Sequence, residues 1–196
     1  MTKQRTLKEY RNIDLALFGV MLVVCEYLII RAEKSWFPGQ PYAVSLAGAM
    51  TAIVYMRWGW WGGIHAALAG LVYCFFSGGS GDQYAIYIIG NLFSLAAVPP
   101  LLKIGKERVR TGHLSLVFPL AVLLLMQTGR MAVAMVLGSP ANEAAGFFIT
   151  DSLSLLFTFV IIWIARRLDG IYEDQKHYLL RLKQRQEKEK EVRNES

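Results

Sequence analysis

The apolar residues of this chain come in unbroken blocks 15 to 24 residues long, not in the stripes or alternations of a water-soluble domain. At a rise of 1.5 Å per residue, a helix of about 20 apolar residues crosses the hydrocarbon core of a bilayer. Only helices or a closed barrel satisfy backbone hydrogen bonds in lipid, and continuous blocks select helices. Six blocks stand out: Ile13–Ile30, Tyr42–Met56, Trp60–Phe76, Tyr84–Leu102, Leu114–Leu137 and Gly146–Ala165. Pro38, Gly39 and Pro41 follow the first, and Arg57-Trp58-Gly59 turns the second into the third. Gly78-Gly79-Ser80-Gly81-Asp82 ends the third and Gly138-Ser139-Pro140 the fifth, while Pro99-Pro100 is expected to distort the end of the fourth. The expectation is an all-α integral membrane protein. Residues 1–12 form a cytoplasmic segment, 13–165 a six-helix membrane domain, and 166–196 a charged cytoplasmic helical tail.

Charge gives the expected orientation. Lys3, Arg5, Lys8 and Arg11 precede the first block, and Arg57 marks the second turn. Lys103, Lys106, Arg108 and Arg110 fill the loop before the fifth block, and Arg166 and Arg167 open the tail. The opposite loops hold only Arg31 and Lys34. By the positive-inside rule both ends face the cytoplasm, in a multi-pass protein of a bacterial cell membrane. This distribution and the tail account for the net charge of +6, so nucleic acid is not indicated. Trp36, Trp58, Trp60 and Trp61 fall at expected membrane interfaces. The basic start and first apolar run imitate a signal peptide. They carry Asp14 and Glu26 with no small-x-small cleavage site, so a retained helix is expected. In the tail, Leu168, Ile171, Tyr178 and Leu182 keep a three/four spacing that reads as an interfacial helix or a short coiled-coil face running on from the sixth block.

Several chemistries are missing. There is no GxxxxGK[ST] loop to bind a nucleotide and no HExxH pair, and His65, His113 and His177 are far apart. Cys25 and Cys74 sit inside apolar blocks without metal-ligand spacing, as small buried hydrophobes do. Ser80 has no base in reach and reads as a turn residue, so no enzyme, cofactor or metal is expected.

Polar residues within apolar blocks are more telling, because each is costly in lipid and faces a partner or a cavity. Glu26, Asn91, Gln127, Arg130 and Asp151 all map to the outer half of the expected bundle. Trp36, Tyr84 and Tyr87, with Phe37 and Tyr42, are placed to close over them. Two readings stay open: a pocket in which Arg130 grips a carboxylate or phosphate, or an internal ion pair of Arg130 with Glu26 or Asp151. His65 reads as a packed helix histidine and Asp14 as interfacial. Small residues recur four apart at Gly59, Gly63 and Ala67, and at Gly62, Ala66 and Gly70, as helix packing or subunit docking requires.

Six short helices followed by a basic end resemble the substrate-binding S components of energy-coupling factor (ECF) transporters. Tyr55-Met56-Arg57-Trp58-Gly59-Trp60-Trp61-Gly62-Gly63 is similar to their arginine-glycine inner turn, and Tyr87-Ile88-Ile89-Gly90-Asn91-Leu92-Phe93 to a fourth-helix pattern. The resemblance implies capture of a vitamin-like solute from outside and docking onto a separate transmembrane coupling protein with ATPase subunits. It also implies docking through a small-residue row on the first helix, for which this chain offers Ala16 and Gly19, with Gly59 and Gly63 at the turn. The alternatives are a scaffold of the rod-shape-determining MreD type, or a sensor subunit, each acting through the tail.

Overall fold

In a computed structural model that describes residues 6–36, 38–39 and 43–195, the chain is helical and, among those residues, free of strands. The first helix, α1 (Leu7–Trp36), starts six residues ahead of the first apolar block. Thr6 and Glu9 explain the early start. The Thr6 amide donates to the Glu9 carboxylate at 2.8 Å, and the Glu9 amide donates back to the Thr6 hydroxyl at 3.3 Å. Then follow α2 (Ala47–Trp58), a tight turn over Gly59–Trp61 and α3 (Gly62–Ser77). A reciprocal Ser80–Gln83 cap opens α4 (Gly81–Leu92). The chain tightens to a narrower helix over Phe93–Ala97 ahead of Pro99 and Pro100, whose missing N–H groups leave the preceding carbonyls without regular partners, and resumes as α5 (Val98–Ile104). Next come α6 (Lys106–Thr111), α7 (Leu114–Val136), the short α8 (Ala141–Ala144) and α9 (Gly146–Thr150), α10 (Ser152–Ala165) and α11 (Gln175–Glu195).

Among the described residues, five helical stretches are long and apolar enough to cross a membrane: Leu7–Trp36, Ala47–Ser77, Gly81–Ile104, Leu114–Val136 and Ala141–Ala165. Two of the six apolar blocks read from the sequence fall within the second. There two apolar blocks form one 31-residue stretch that doubles back on itself. Ser45, ahead of α2, bonds Glu26 in α1, and Arg57 at the far end of α2 bonds Asp14, so α2 runs antiparallel to α1. His65 in α3 lies at Leu15, and Lys34 reaches the last carbonyls of α3, so α3 runs parallel to α1. Gly59 makes the reversal, with φ at 61°, a left-handed conformation that side chains disfavour. With 12 residues, α2 is about 18 Å long, well short of a bilayer core by itself.

The bundle has an apolar core, an apolar exterior and several buried polar groups. Glu26, Asn91, Gln127, Arg130 and Asp151 are all buried. Val20, Phe75, Val136 and Leu156 stand exposed, Val136 at 86%. An apolar exterior with the costly polar groups turned inward is the arrangement that lipid, not water, favours. Glycine lets the helices approach inside: a side chain on Gly129 would lie 2.2 Å from the Gly90 carbonyl oxygen, and one on Gly70 2.5 Å from that of Tyr87.

One end of the bundle carries the basic residues Arg57, Lys106, Arg110 and Arg166, and the tail docks there. The expected run of α10 straight into the tail is interrupted. Residues 166–174 leave the helix, Gly170 takes a φ of 77°, and α11 begins only at Gln175. The three/four apolar spacing from Leu168 to Tyr178 therefore spans a turn and does not lie on one helical face.

Candidate functional site

Two polar assemblies lie at different depths. The first is in the half of the bundle away from the tail. Arg130 on α7 donates through Nε to Asn91 Oδ1 at 2.8 Å and through Nη1 to Asp151, and its guanidinium carbon sits 4.5 Å from the Tyr87 ring centre. Asn91 in turn donates to the Ala66 carbonyl at 3.0 Å. The close crossing of α4 and α7 at Gly90 and Gly129 brings Asn91 and Arg130 within reach. Of the two readings left open by the sequence, the ion pair is present, with Asp151 and not Glu26 as the partner.

Glu26 belongs to a neighbouring layer. Its Oε1 accepts from the Ser45 hydroxyl at 2.8 Å and from the Leu46 amide at 2.7 Å. The Ser45 amide donates to the Ser154 hydroxyl at 2.9 Å, which donates to the Ala43 carbonyl at 3.2 Å. The extended segment before α2 is thus stitched to both α1 and α10. Glu26 Oε2 and both amide atoms of Gln127 are buried without a hydrogen-bond partner in the structure.

Above the Arg130 cluster, Tyr73 stacks on Tyr87 at 4.6 Å between ring centres. Tyr73 also lines a cavity of about 350 Å³ that opens away from the basic end, with Ile30, Glu33, Lys34, Pro38, Gly39 and Ser77 around it. Lys34 Nζ donates to the carbonyls of Phe76 and Ser77 at 3.1 and 3.2 Å, where the negative end of the α3 dipole favours a cation. Glu33 is half-buried in the wall and forms no ion pair among the described residues. Cavity, tyrosine pair and buried arginine thus lie in sequence from the surface inward.

The structure therefore gathers Asn91, Arg130 and Asp151 directly, with Glu26 in the layer beside them and Gln127 buried three residues before Arg130 on α7. Trp36 is 74% exposed at the end of α1, and Tyr84 is half-buried in the first turn of α4. Neither shares a hydrogen bond or ring contact with the cluster among the described residues. Phe37 and Tyr42 lie outside the described residues, as do Lys3 and Arg5. Tyr73, Glu33 and Ser45 were not singled out in the sequence. Tyr73 lies three residues from Gly70 on a helix read for its small residues, and Ser45 differs in no local way from any serine before a helix. Of the expected docking residues, Gly19 faces Leu68 and His65 within the chain, and Gly63 faces Leu95. Gly59 sits in the turn and Ala16 is exposed.

The second assembly is at the basic end. Asp14 receives two bonds from Arg57, at 2.6 and 2.7 Å, and one from the Trp58 indole. Arg57 also donates to the Gly170 carbonyl and, at 3.0 Å, to that of Ile171, locking the tail's root onto the bundle. Tyr172 is buried and donates to the Ser115 carbonyl at 3.3 Å. Burial pushes its phenol well above the usual range. Lys106 pairs with Asp174 at 3.1 Å, and Arg110 bridges Glu107 and Glu173 at 2.7 and 2.8 Å. The Arg110 hydrogen bond holds the Glu107 carboxyl below its ordinary range. No family model matches this chain, and no curated protein or solved structure does either.

Proposed function

We propose that the chain is a membrane-embedded solute-binding protein, taking a small, vitamin-sized molecule through the cavity at the end opposite the tail. The supporting observation is the cavity itself, of a volume usual for small-molecule sites, floored by an aromatic pair over a buried charge cluster. Glu33 offers an acceptor for a cationic or hydrogen-bonding head, and Tyr73 a face for a ring. Arg130 is held by Asp151 and Asn91, so in this reading it fixes the floor and the solute's charged group meets Glu33 and Lys34.

In the finer form of the proposal, α2 and α3 with their flanking residues each cross the membrane, giving six crossings with both ends in the cytoplasm. The cavity then faces outside. The chain acts as the binding subunit of an ECF-type uptake system, relying on a separate coupling protein and ATPase subunits. The test is a thermal-unfolding screen of the purified protein against vitamins, nucleobases and haem-like compounds. A hit is expected to raise the midpoint in wild type and to lose most of that shift in Glu33→Gln, with the unliganded midpoint unchanged. A screen with no stabilising compound, or a hit indifferent to Glu33→Gln, would overturn the assignment.

A second reading draws on the tail. Its root is locked to the basic end, so α11 leaves the bundle from a fixed origin, as a scaffold or sensor subunit needs. Deleting residues 184–196 should then abolish capture of a partner while sparing solute binding.

A further inference from the structure

At the basic end several cations are matched by acids: Arg57 by Asp14, Lys106 by Asp174, and Arg110 by Glu107 and Glu173. Arg11 on α1 is not. Among the described residues it forms no ion pair, and its Nε is buried without a hydrogen-bond partner. The acid one turn further along α1, Asp14, has both oxygens taken by Arg57 and Trp58. Glu9, two residues before Arg11, accepts from the Thr6 amide. What Arg11 meets is a ring: its guanidinium carbon lies 4.1 Å from the centre of the Trp61 ring, in the turn between α2 and α3. The ring face attracts the cation but takes up none of the in-plane N–H donors, whose fork matches the oxygens of a phosphate. Lys8 sits one turn earlier on the same side of α1, exposed and also without an ion pair among the described residues.

The surroundings of this pair are those of a membrane surface. Trp60 and Trp61 are both exposed, as indoles at headgroup level are. Beyond them Ile64, Leu71 and Phe75 stand exposed at helical spacing along α3, which runs from the basic end towards the opposite one. Two unmatched cations therefore head an exposed apolar stripe. A free anion would use the cations and leave the stripe bare. A phospholipid uses both, with its phosphate at the head and an acyl chain along the stripe. Two positive charges without acids call for a headgroup of net negative charge, not a zwitterionic one.

We infer that Arg11, Lys8 and the Trp60–Trp61 turn form a binding site for the phosphate of an anionic phospholipid, one of whose acyl chains lies along Ile64, Leu71 and Phe75. Arg11 is held flat by Trp61 and donates to the phosphate oxygens, and Lys8 adds a second charge beside it. The site is at the end opposite the solute cavity and does not depend on what that cavity takes.

The test uses the full chain with Trp36→Phe and Trp163→Phe, so that Trp58, Trp60 and Trp61 supply the fluorescence. Trp163 is removed because Arg167 stacks on it at 4.1 Å and would report a second contact. The protein is reconstituted in phosphatidylcholine vesicles in which a fixed fraction of the lipid, either phosphatidylglycerol or phosphatidylcholine, carries brominated acyl chains that quench neighbouring indoles. Brominated phosphatidylglycerol is expected to be preferred by about fivefold, the attraction of one basic side chain to an anionic leaflet. Arg11→Gln should bring the two lipids to parity, and Lys8→Gln should lower the preference in part. Lys8 is exposed, so its variant decides the matter even if Arg11→Gln fails to fold. Arg108→Gln, which removes an exposed cation of α6 at the same end, should change nothing. Equal quenching by both lipids would overturn the inference, as would a preference undiminished in Arg11→Gln or Lys8→Gln. So would one lowered as much by Arg108→Gln, because the attraction would then be to diffuse surface charge. Loss of the preference when inorganic phosphate replaces chloride at equal ionic strength would assign the cations to a free anion and equally overturn it.

Discussion

Removing one member of the Arg130–Asp151 pair should be far more damaging than removing both. Each side chain is 3% exposed, so solvent does little to screen the charge left behind. Breaking a buried ion pair by deleting one partner costs about 3–5 kcal/mol, and replacing the whole pair with apolar residues of similar volume is often neutral. Asp151→Ala strands the guanidinium with only Asn91 and the Tyr87 face, and Arg130→Met strands the buried Asp151 carboxylate. We expect each single variant to lose about 3–5 kcal/mol, a change of more than a hundredfold in the unfolding equilibrium. The double variant Arg130→Met/Asp151→Leu should lie within about 2 kcal/mol of wild type, giving a large negative interaction in the cycle. The assay is reversible unfolding by sodium dodecyl sulfate in mixed micelles, followed through the five tryptophans. Single losses under about 1 kcal/mol that simply add in the double variant are what an exposed pair would give. That result would refute the placement of Arg130 and Asp151 in a sealed interior.

Three further outcomes follow from particular contacts. Gly129→Ala places a carbon 2.2 Å from the Gly90 carbonyl oxygen, so α4 and α7 must part by about 1 Å; a loss of about 3 kcal/mol in the same unfolding assay is expected, against under about 0.5 for Gly146→Ala, where nothing lies nearby. Arg57→Ala removes the donor that holds Gly170 and Ile171, and limited proteolysis should then cut within residues 166–174 at least tenfold faster than in wild type, while α1–α10 stay protected. Glu107, with its carboxyl held low by Arg110, contributes stability that is fully present above its ordinary value of 4.5 and is lost as pH falls through the depressed one. Cleavage of the 166–174 segment by an acid-active protease should therefore rise below pH 4.5 in wild type, and that added step should be missing in Glu107→Gln.

The apolar blocks made the helices legible, and the polar residues within them marked the half of the bundle where Arg130, Asn91 and Asp151 meet. The partner choices were not legible. Arg130 joins Asp151 because α9 and α10 meet α7 at that depth, and no local signal distinguishes this from a pair with Glu26. Asp14 read as an interfacial acid because its partner Arg57 is 43 residues away, at the far end of α2. Glycines at helical spacing announced close packing without saying where. In the structure Gly19, Gly63 and Gly70 meet neighbours inside the chain. The tail misled for a simple reason: the three/four apolar spacing continued through Gly170, whose left-handed backbone ends any helix there. Two of the six apolar blocks share one 31-residue stretch because the turn at Gly59–Trp61 joins α2 to α3 without a polar loop.

The central claim is a membrane bundle whose solute cavity opens on the side opposite its docked tail. Single cysteines at Gly39, Ser139, His113 and Asp169, in a chain with Cys25→Ala and Cys74→Ala, can be tested with a membrane-impermeant maleimide on intact cells. Labelling of Gly39→Cys and Ser139→Cys without permeabilisation, and of His113→Cys and Asp169→Cys only after it, is the result this account predicts. Labelling of Gly39→Cys and His113→Cys from the same side would contradict it.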